Sequence, residues 1–444
     1  MFTAENFRRV FDVENRKGLD VAGRFFPALE PHTLGIRNKV KEIREVRAKA
    51  ALLTLDVLTA KVASLKVELA DLKAKKFIAI DHEMETISDK VSKPSFKLVL
   101  TKKMGPKGRS VFCIDGSPET FFVIKQLQRN ISRIYGVKQS NRHDLVCQLR
   151  DTLTTSFPFS IVRTDISSFY ESIDRKRLLE KLDQDQLLSS SSKKYIKQVL
   201  DSYGSVASAP NGIPRGVGIS AYLAELYLRP IDQTIREAKG LILYCRYVDD
   251  IVAVFARPPT GNGQASYKDI ILEALLDRGL SHNPSKTREM ELNAPGVKKF
   301  EYLGYRFRLE KGQCLIWPSS TKVSKYRWRL RAAFADYKTQ SPVNGRRAYR
   351  DLVSRVKFLT GNTRLSNSKS GAVTGIYYNN SIVTELSSFS LLDKALKSRI
   401  AAIKRPSLRK RLTKYKFTEG FLQRRFHNFS TGELRTIVRA WRHA

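Results

Sequence analysis

Cysteine and histidine are scarce: the 444 residues include four of the first and six of the second. Cys113, Cys147, Cys245 and Cys314 lie far apart with no CxxC pair, which speaks against a zinc site and a disulfide framework. No apolar run approaches the roughly 20 residues needed to cross a bilayer. The opening MFTAENFRRVFDVENRKG lacks the hydrophobic stretch of a secretory signal, so a reduced, cytoplasmic setting without a membrane partner is expected. Acids are few as well: 43 Asp and Glu stand against 80 Lys and Arg, a formal net charge of +37. Such a field attracts polyanions, nucleic acid first among them. Hydrophobic residues make up 42%, enough to fill real cores in a chain of this length.

Organisation follows from periodicity. Residues 39–76 contain no Gly or Pro, and Ile43, Val46, Ala50, Leu53 and Val57 alternate spacings of three and four. Leu58, Val62, Leu65, Leu69 and Leu72 repeat the pattern shifted by one residue. A long helix or a helical hairpin broken near 57 is expected, packed on its own protein rather than serving as an oligomerising arm. FKLVL, TKKMGPKGRS and VFCI read as strand, basic turn and strand, followed by a helix from about Glu119 to Tyr135. PFSIVRTD is a strand entering an acid, and Asp174 is placed to cap the helix DRKRLLEKL. ISAYLAELYL reads as a helix stopping at Pro230, LILYCRYVDDIVAVF as a hairpin, and PPTGNGQAS as a loop before a helix ended by Gly279. KKFEYLGYRFRLEKGQCLIW reads as another hairpin, and from about 320 the chain turns helical and basic. The fold class is α+β, a sheet with acids at its strand ends and helices before and after.

Asp249 and Asp250 interrupt otherwise apolar strands. Asp is a good turn residue, but the flanking Leu241, Leu243, Ile251, Val252 and Val254 put this turn at the edge of a buried sheet. Adjacent ionised acids there repel and call for a cation, and hard divalent ions prefer carboxylate oxygens. Asp165 ends a second apolar strand, with Tyr170 five residues on.

Asp165 to Tyr170, then Gly212-Ile213-Pro214-Arg215-Gly216, then Tyr247-Val248-Asp249-Asp250 resembles, in this order, the palm of the reverse transcriptases. The resemblance covers residues 96–330. It implies a right-hand polymerase: an N-terminal helical region (1–95), fingers (96–160), palm (161–310), thumb (311–360) and a basic C-terminal helical region (361–444). It also implies RNA-directed DNA synthesis with two Mg²⁺ ions, Mn²⁺ being a substitute. Asp165 and Asp249 would bridge the ions, with Asp250 alongside and the Ile166 carbonyl as a further ligand. Lys103 and Arg109, among the basic residues Lys102, Lys103, Lys107 and Arg109 of the finger turn, would hold the incoming dNTP. Tyr170 would exclude a 2′-hydroxyl, Gly216 would let the new pair approach backbone, and Lys286 would sit near the leaving pyrophosphate. Tyr302, Leu303 and Gly304 resemble the primer grip. Arg215 departs from the family's usual Gln and adds charge where template or triphosphate would lie.

PRG in place of PQG, with the texture of residues 355–386 and 417–441, resembles bacterial defence-associated reverse transcriptases of the unknown groups. That resemblance implies an RNA template and DNA product, and as partners a noncoding RNA, a second reverse transcriptase or effector protein, or a second copy. A retron or intron-derived enzyme is the alternative, and an idle RNA-binding scaffold another; the presence of all three acids weighs against the scaffold. Beyond 320, Lys and Arg interleave with Tyr326, Trp328, Tyr377, Tyr378, Tyr415, Phe417, Phe421, Phe426, Phe429 and Trp441. Such a mixture suits single-stranded RNA, although helix packing accounts for most of these rings. His427 and His443 have no partners at metal-ligand spacing.

Overall fold

A computed structural model describes residues 1–49, 54–105, 108–155, 158–256, 266–291, 296–310, 313–365 and 372–441. Ala50, Leu53, Lys107, His443 and nearly all of the loop read at 258–266 lie outside them. The chain is a mixed α+β protein that divides into two compact units. The first comprises residues 1–139 and 168–229; the second comprises 140–167 and 230–444.

In the first unit, Phe7, Val10 and Phe11 on the helix Ala4–Arg16 are buried, and Phe7 meets Phe122 edge to face. Helices Glu30–Ala48 and Leu55–Ser92 form the expected helical hairpin. Lys39 Nζ reaches Glu68 Oε2 at 2.7 Å and Lys76 Nζ reaches Thr33 Oγ1 at 2.7 Å, which makes the pair antiparallel. The second helix already starts at Leu55, so the break falls before residue 57, with Thr54 extended at its N-cap. β1 (Leu100–Met104) and β2 (Ser110–Ile114) pair antiparallel across the basic turn. Asp174 caps Arg175–Asp185 by accepting the Arg177 N–H.

The second unit holds a four-stranded antiparallel sheet in the order β4 (Leu241–Tyr247), β5 (Asp250–Ala256), β3 (Phe159–Asp165), β6 (Arg288–Glu291). β5 and most of β3 are buried on both faces, hence their near-continuous apolar sequence. One face packs on Val146 and Leu149 of the helix Arg142–Leu153 and on a three-stranded meander: β7 (Lys298–Tyr302), β8 (Tyr305–Glu310) and β9 (Gln313–Pro318). A single hairpin was expected there; the extra strand arises because Cys314, Ile316 and Pro318 alternate inward and pair with β8. Helices Ser320–Gln340 and Gly345–Thr360 follow, then β10 (Asn362–Arg364), β11 (Val373–Gly375) and further helices.

The helix Ser220–Arg236 runs through Pro230 instead of stopping there. A mid-helix proline costs about 3 kcal/mol, and full burial of Leu226, Leu228, Ile231 and Ile235 on both sides of it offsets that. Of the C-terminal aromatics, Tyr326, Tyr415, Phe417, Phe421, Phe429 and Trp441 are buried, whereas Tyr378 and Phe426 are 45% and 43% exposed. Most of these rings are core.

Candidate active site

β3 and β5 run antiparallel with Asp165 directly opposite Asp250. Directly paired residues place their side chains on one face, with Cβ atoms about 4.5–5.5 Å apart. Asp250 thus belongs to β5, and the reversal from β4 is made by Val248 and Asp249 between the paired Tyr247 and Asp250. Val248 takes φ +59°, unusual for a β-branched residue. Two contacts hold it there. The Ile166 N–H donates to the Asp249 carbonyl at 3.0 Å, and Arg246 Nη1 donates to the Val248 carbonyl at 3.2 Å. Arg246 is itself clamped by Asp232, Nε to Oδ1 and Nη2 to Oδ2, both at 2.7 Å.

Beyond Asp165 the strand is locked on its other side. Asn283 N–H donates to the Asp165 carbonyl at 2.7 Å, and Ser167 N–H to the Ser281 carbonyl at 2.8 Å. An extended residue aims its N–H and C=O the same way, so the Ile166 carbonyl faces the side of the 248–249 turn. Asn283 also accepts from Ser285 N–H and from Lys286 N–H, through its side chain and its carbonyl respectively. That loop delivers Lys286 Nζ to Asp165 Oδ2 at 2.7 Å.

The carboxylates are not equivalent. Burial pushes the Asp250 carboxyl up from its ordinary 3.8 to about 6; Arg163 opposes the rise, and Asp165 and Asp249 add to it. Arg163 Nη2 lies 3.5 Å from Asp250 Oδ1, too long for a hydrogen bond, and that oxygen is buried without a hydrogen-bond partner. The Tyr302 hydroxyl is likewise buried and unpartnered, its ionisation pushed far up by burial and then by Cys245 and Asp250.

Tyr302, Leu303, Gly304 and Tyr305 form the β7–β8 turn, with Leu303 at φ +45° and Gly304 at φ +76°. The Tyr302 and Leu303 side chains face the core, so the turn offers backbone outward. Arg142 donates to the Leu303 carbonyl through Nε at 3.1 Å and Nη2 at 2.5 Å.

In the other unit, Lys103 and Arg109 are exposed on the β1–β2 hairpin. Arg215 pairs with Glu171 at 3.1 Å and lies 5.3 Å over the Tyr170 ring, so its charge is matched locally. Its carbonyl accepts the Phe112 N–H at 2.7 Å. Gly216, at φ +103°, sits where a Cβ would come within 2.8 Å of the Phe112 carbonyl oxygen.

Residues 123–307 match the family model described as reverse transcriptase (RNA-dependent DNA polymerase). They form a reverse transcriptase domain. The enzyme class is therefore RNA-directed DNA polymerase. None of the curated proteins matches the sequence. Among solved structures, telomerase from Candida albicans in complex with a telomeric RNA fragment is similar at 14% identity and a TM-score of 0.41, over 74% of this chain and 67% of that one. Apo telomerase from Candida tropicalis gives 13% and 0.40 over 78% and 63%, and the RNA-dependent RNA polymerase of a human picobirnavirus 14% and 0.35 over 78% and 64%. The chain thus spans about two thirds of these proteins. The likenesses are distant, and the domain assignment rests on the family match.

Among the described residues, no group of three His, Cys, Asp or Glu is drawn together as a metal site. The reverse transcriptase domain instead balances its acids with Lys286 and Arg163. The donor set nevertheless fits a hard divalent ion: oxygen atoms only, from three carboxylates and the Ile166 carbonyl, one of them buried and unsatisfied at Asp250. Sequence reasoning missed Arg246, Asp232, Arg163, Asn283 and Arg142. Two signals were available: a charged Arg246 inside an apolar strand three residues before Asp249, and Arg163 likewise placed two residues before Asp165.

Proposed function

We propose that this reverse transcriptase domain copies RNA into DNA at the Asp165–Asp249–Asp250 cluster. The observation that carries the reading is the register placing Asp165 opposite Asp250, with Asp249 in the adjoining turn. Asp165, Asp249, Asp250 and the Ile166 carbonyl are assigned as the ligands of two Mg²⁺ ions. Bound there, such ions would activate the primer 3′-hydroxyl and neutralise the leaving pyrophosphate. The chain's own part is positional. Arg246 and Ile166 hold the turn, Asn283 ties the Lys286 loop to the Asp165 strand end, and Lys286 is the cation assigned to the pyrophosphate oxygens. The Leu303–Gly304 turn is assigned to the primer. Lys103, Arg109, Tyr170, Arg215 and Gly216 are assigned to the incoming dNTP on the pattern of the family. The β1–β2 hairpin is assigned to the fingers, the four-stranded sheet to the palm and the helices from Ser320 to Thr360 to the thumb.

The biological setting we propose is bacterial antiviral defence with a noncoding RNA or protein partner, supported by the PRG form and the C-terminal resemblance. Primer extension on an RNA template with Mg²⁺ or Mn²⁺ tests the chemistry. Wild type should incorporate dNTPs, and Asp249→Ala combined with Asp250→Ala should not. Equal incorporation removes the catalytic reading and leaves an RNA-binding scaffold. Phage plating on cells carrying the same pair tests the setting.

A further inference from the structure

Within the second unit, at Tyr305, lies a cavity of about 470 Å³ with no carboxylate among the described residues of its lining. Arg142, Lys322, Lys325 and Arg329 contribute four positive charges, and Tyr305 and Tyr378 contribute rings. Lys322, Lys325 and Arg329 follow spacings of three and four on the helix Ser320–Gln340, so they share one face and repel one another. Arg142 opens the helix Arg142–Leu153, where the helix dipole is already positive. The Lys322 ammonium has the Asn379 carbonyl at 2.7 Å and the Tyr305 face at 4.0 Å, but no acid among the described residues. Burial, and then Arg142, draw its ionisation down to about 8. The Arg329 Nε is buried without a hydrogen-bond partner, and the Tyr378 ring is 45% exposed at the rim. A fold that gathers this much positive charge without counter-charge is completed by an anion. The cavity volume suits one nucleotide.

The geometry points to a second nucleotide-phosphate site, distinct from the three aspartates, in which Arg142, Lys322, Lys325 and Arg329 cradle a phosphate and Tyr378 stacks its base. The phosphate belongs either to a nucleic-acid strand or to a free nucleotide. The site does not depend on the catalytic reading, since it is read by binding and not by incorporation.

The test uses the full chain and fluorescence anisotropy with a fluorescein-labelled, 5′-phosphorylated ten-nucleotide RNA, and AMP as the free nucleotide. Lys325→Glu is compared with Lys338→Glu, an equal charge change at an exposed position at the end of the same helix and outside the cavity lining. Lys325→Glu should weaken RNA binding about tenfold and Lys338→Glu less than about twofold, since the loss is local and not one of overall charge. Tyr378→Ala, a neutral change, should weaken it severalfold through lost stacking. Competition by AMP that Lys325→Glu abolishes assigns the site to free nucleotides; RNA loss without AMP competition assigns it to a strand. Equal effects of the two Lys substitutions, with Tyr378→Ala silent, overturn the proposal. The pair Asp249→Ala and Asp250→Ala should leave this binding unchanged whether or not it abolishes synthesis.

Discussion

Asp232→Asn should separate folding from positioning at the Val248–Asp249 turn. Arg246 is 8% exposed, and both of its fork contacts go to Asp232. Neutralising the carboxylate breaks this buried ion pair from one side, which costs about 3–5 kcal/mol, a large share of the roughly 5–15 kcal/mol that holds a domain together. Replacing both partners with apolar residues, Arg246→Met with Asp232→Leu, removes the pair as a whole and should return stability to within about 2 kcal/mol of wild type. Activity should not return with it. The Val248 carbonyl would still lack its charged donor, an interaction worth about 1.5–3 kcal/mol. Val248 at φ +59° holds strain of about 1–3 kcal/mol that would relax by moving the turn. Incorporation by the double variant should therefore fall roughly ten- to hundredfold. Thermal unfolding followed by circular dichroism, set beside single-turnover extension of the same preparations, makes the comparison. A double variant that is both stable and fully active refutes the idea that Arg246 positions the acids.

Asp250 sets a pH dependence of stability in protein freed of divalent ions. Its folded ionisation point, about 6, lies above the ordinary 3.8, so the folded state favours the protonated form. The stability this contributes is complete below about pH 3.8 and lost as pH rises through about 6, at most roughly 3 kcal/mol. Asp250→Asn should flatten that part of a melting curve series between pH 4 and 7, and an unchanged slope would place the effect elsewhere. Lys286→Gln should free Asp165 Oδ2 from its 2.7 Å ion pair, lowering the Mg²⁺ concentration for half-maximal extension while reducing the maximal rate on the order of a hundredfold; a raised Mg²⁺ requirement would contradict the competition between ammonium and cation. Gly216→Ala would set a Cβ 2.5 Å from Val111 Cγ1 at φ +103°, and should destabilise the protein by about 2 kcal/mol or more in urea unfolding.

Two levels of information meet at the acids. The order Asp165, Gly212 to Gly216, Asp249, Asp250 was legible along the chain because strand alternation and turn chemistry are local, and so was the β1–β2 hairpin. Local rules misplaced what packing decides. Pro230 stops a helix by propensity, but the burial around it carries the helix through. A hairpin at 298–317 gained a third strand because β9 alternates into the same core. Where the acids stand was also a tertiary matter. Asp250 became a strand residue opposite Asp165 only once β3 inserted between β5 and β6, and its raised ionisation follows from the burial that this insertion brings. The partners that hold the turn, Asp232 fourteen residues before Arg246 and Asn283 more than a hundred after Asp165, have no spacing rule to announce them. Hydrophobic period and turn chemistry are encoded over a few residues and can be read from them; the pairing of charges across a buried sheet exists only after the chain has closed on itself.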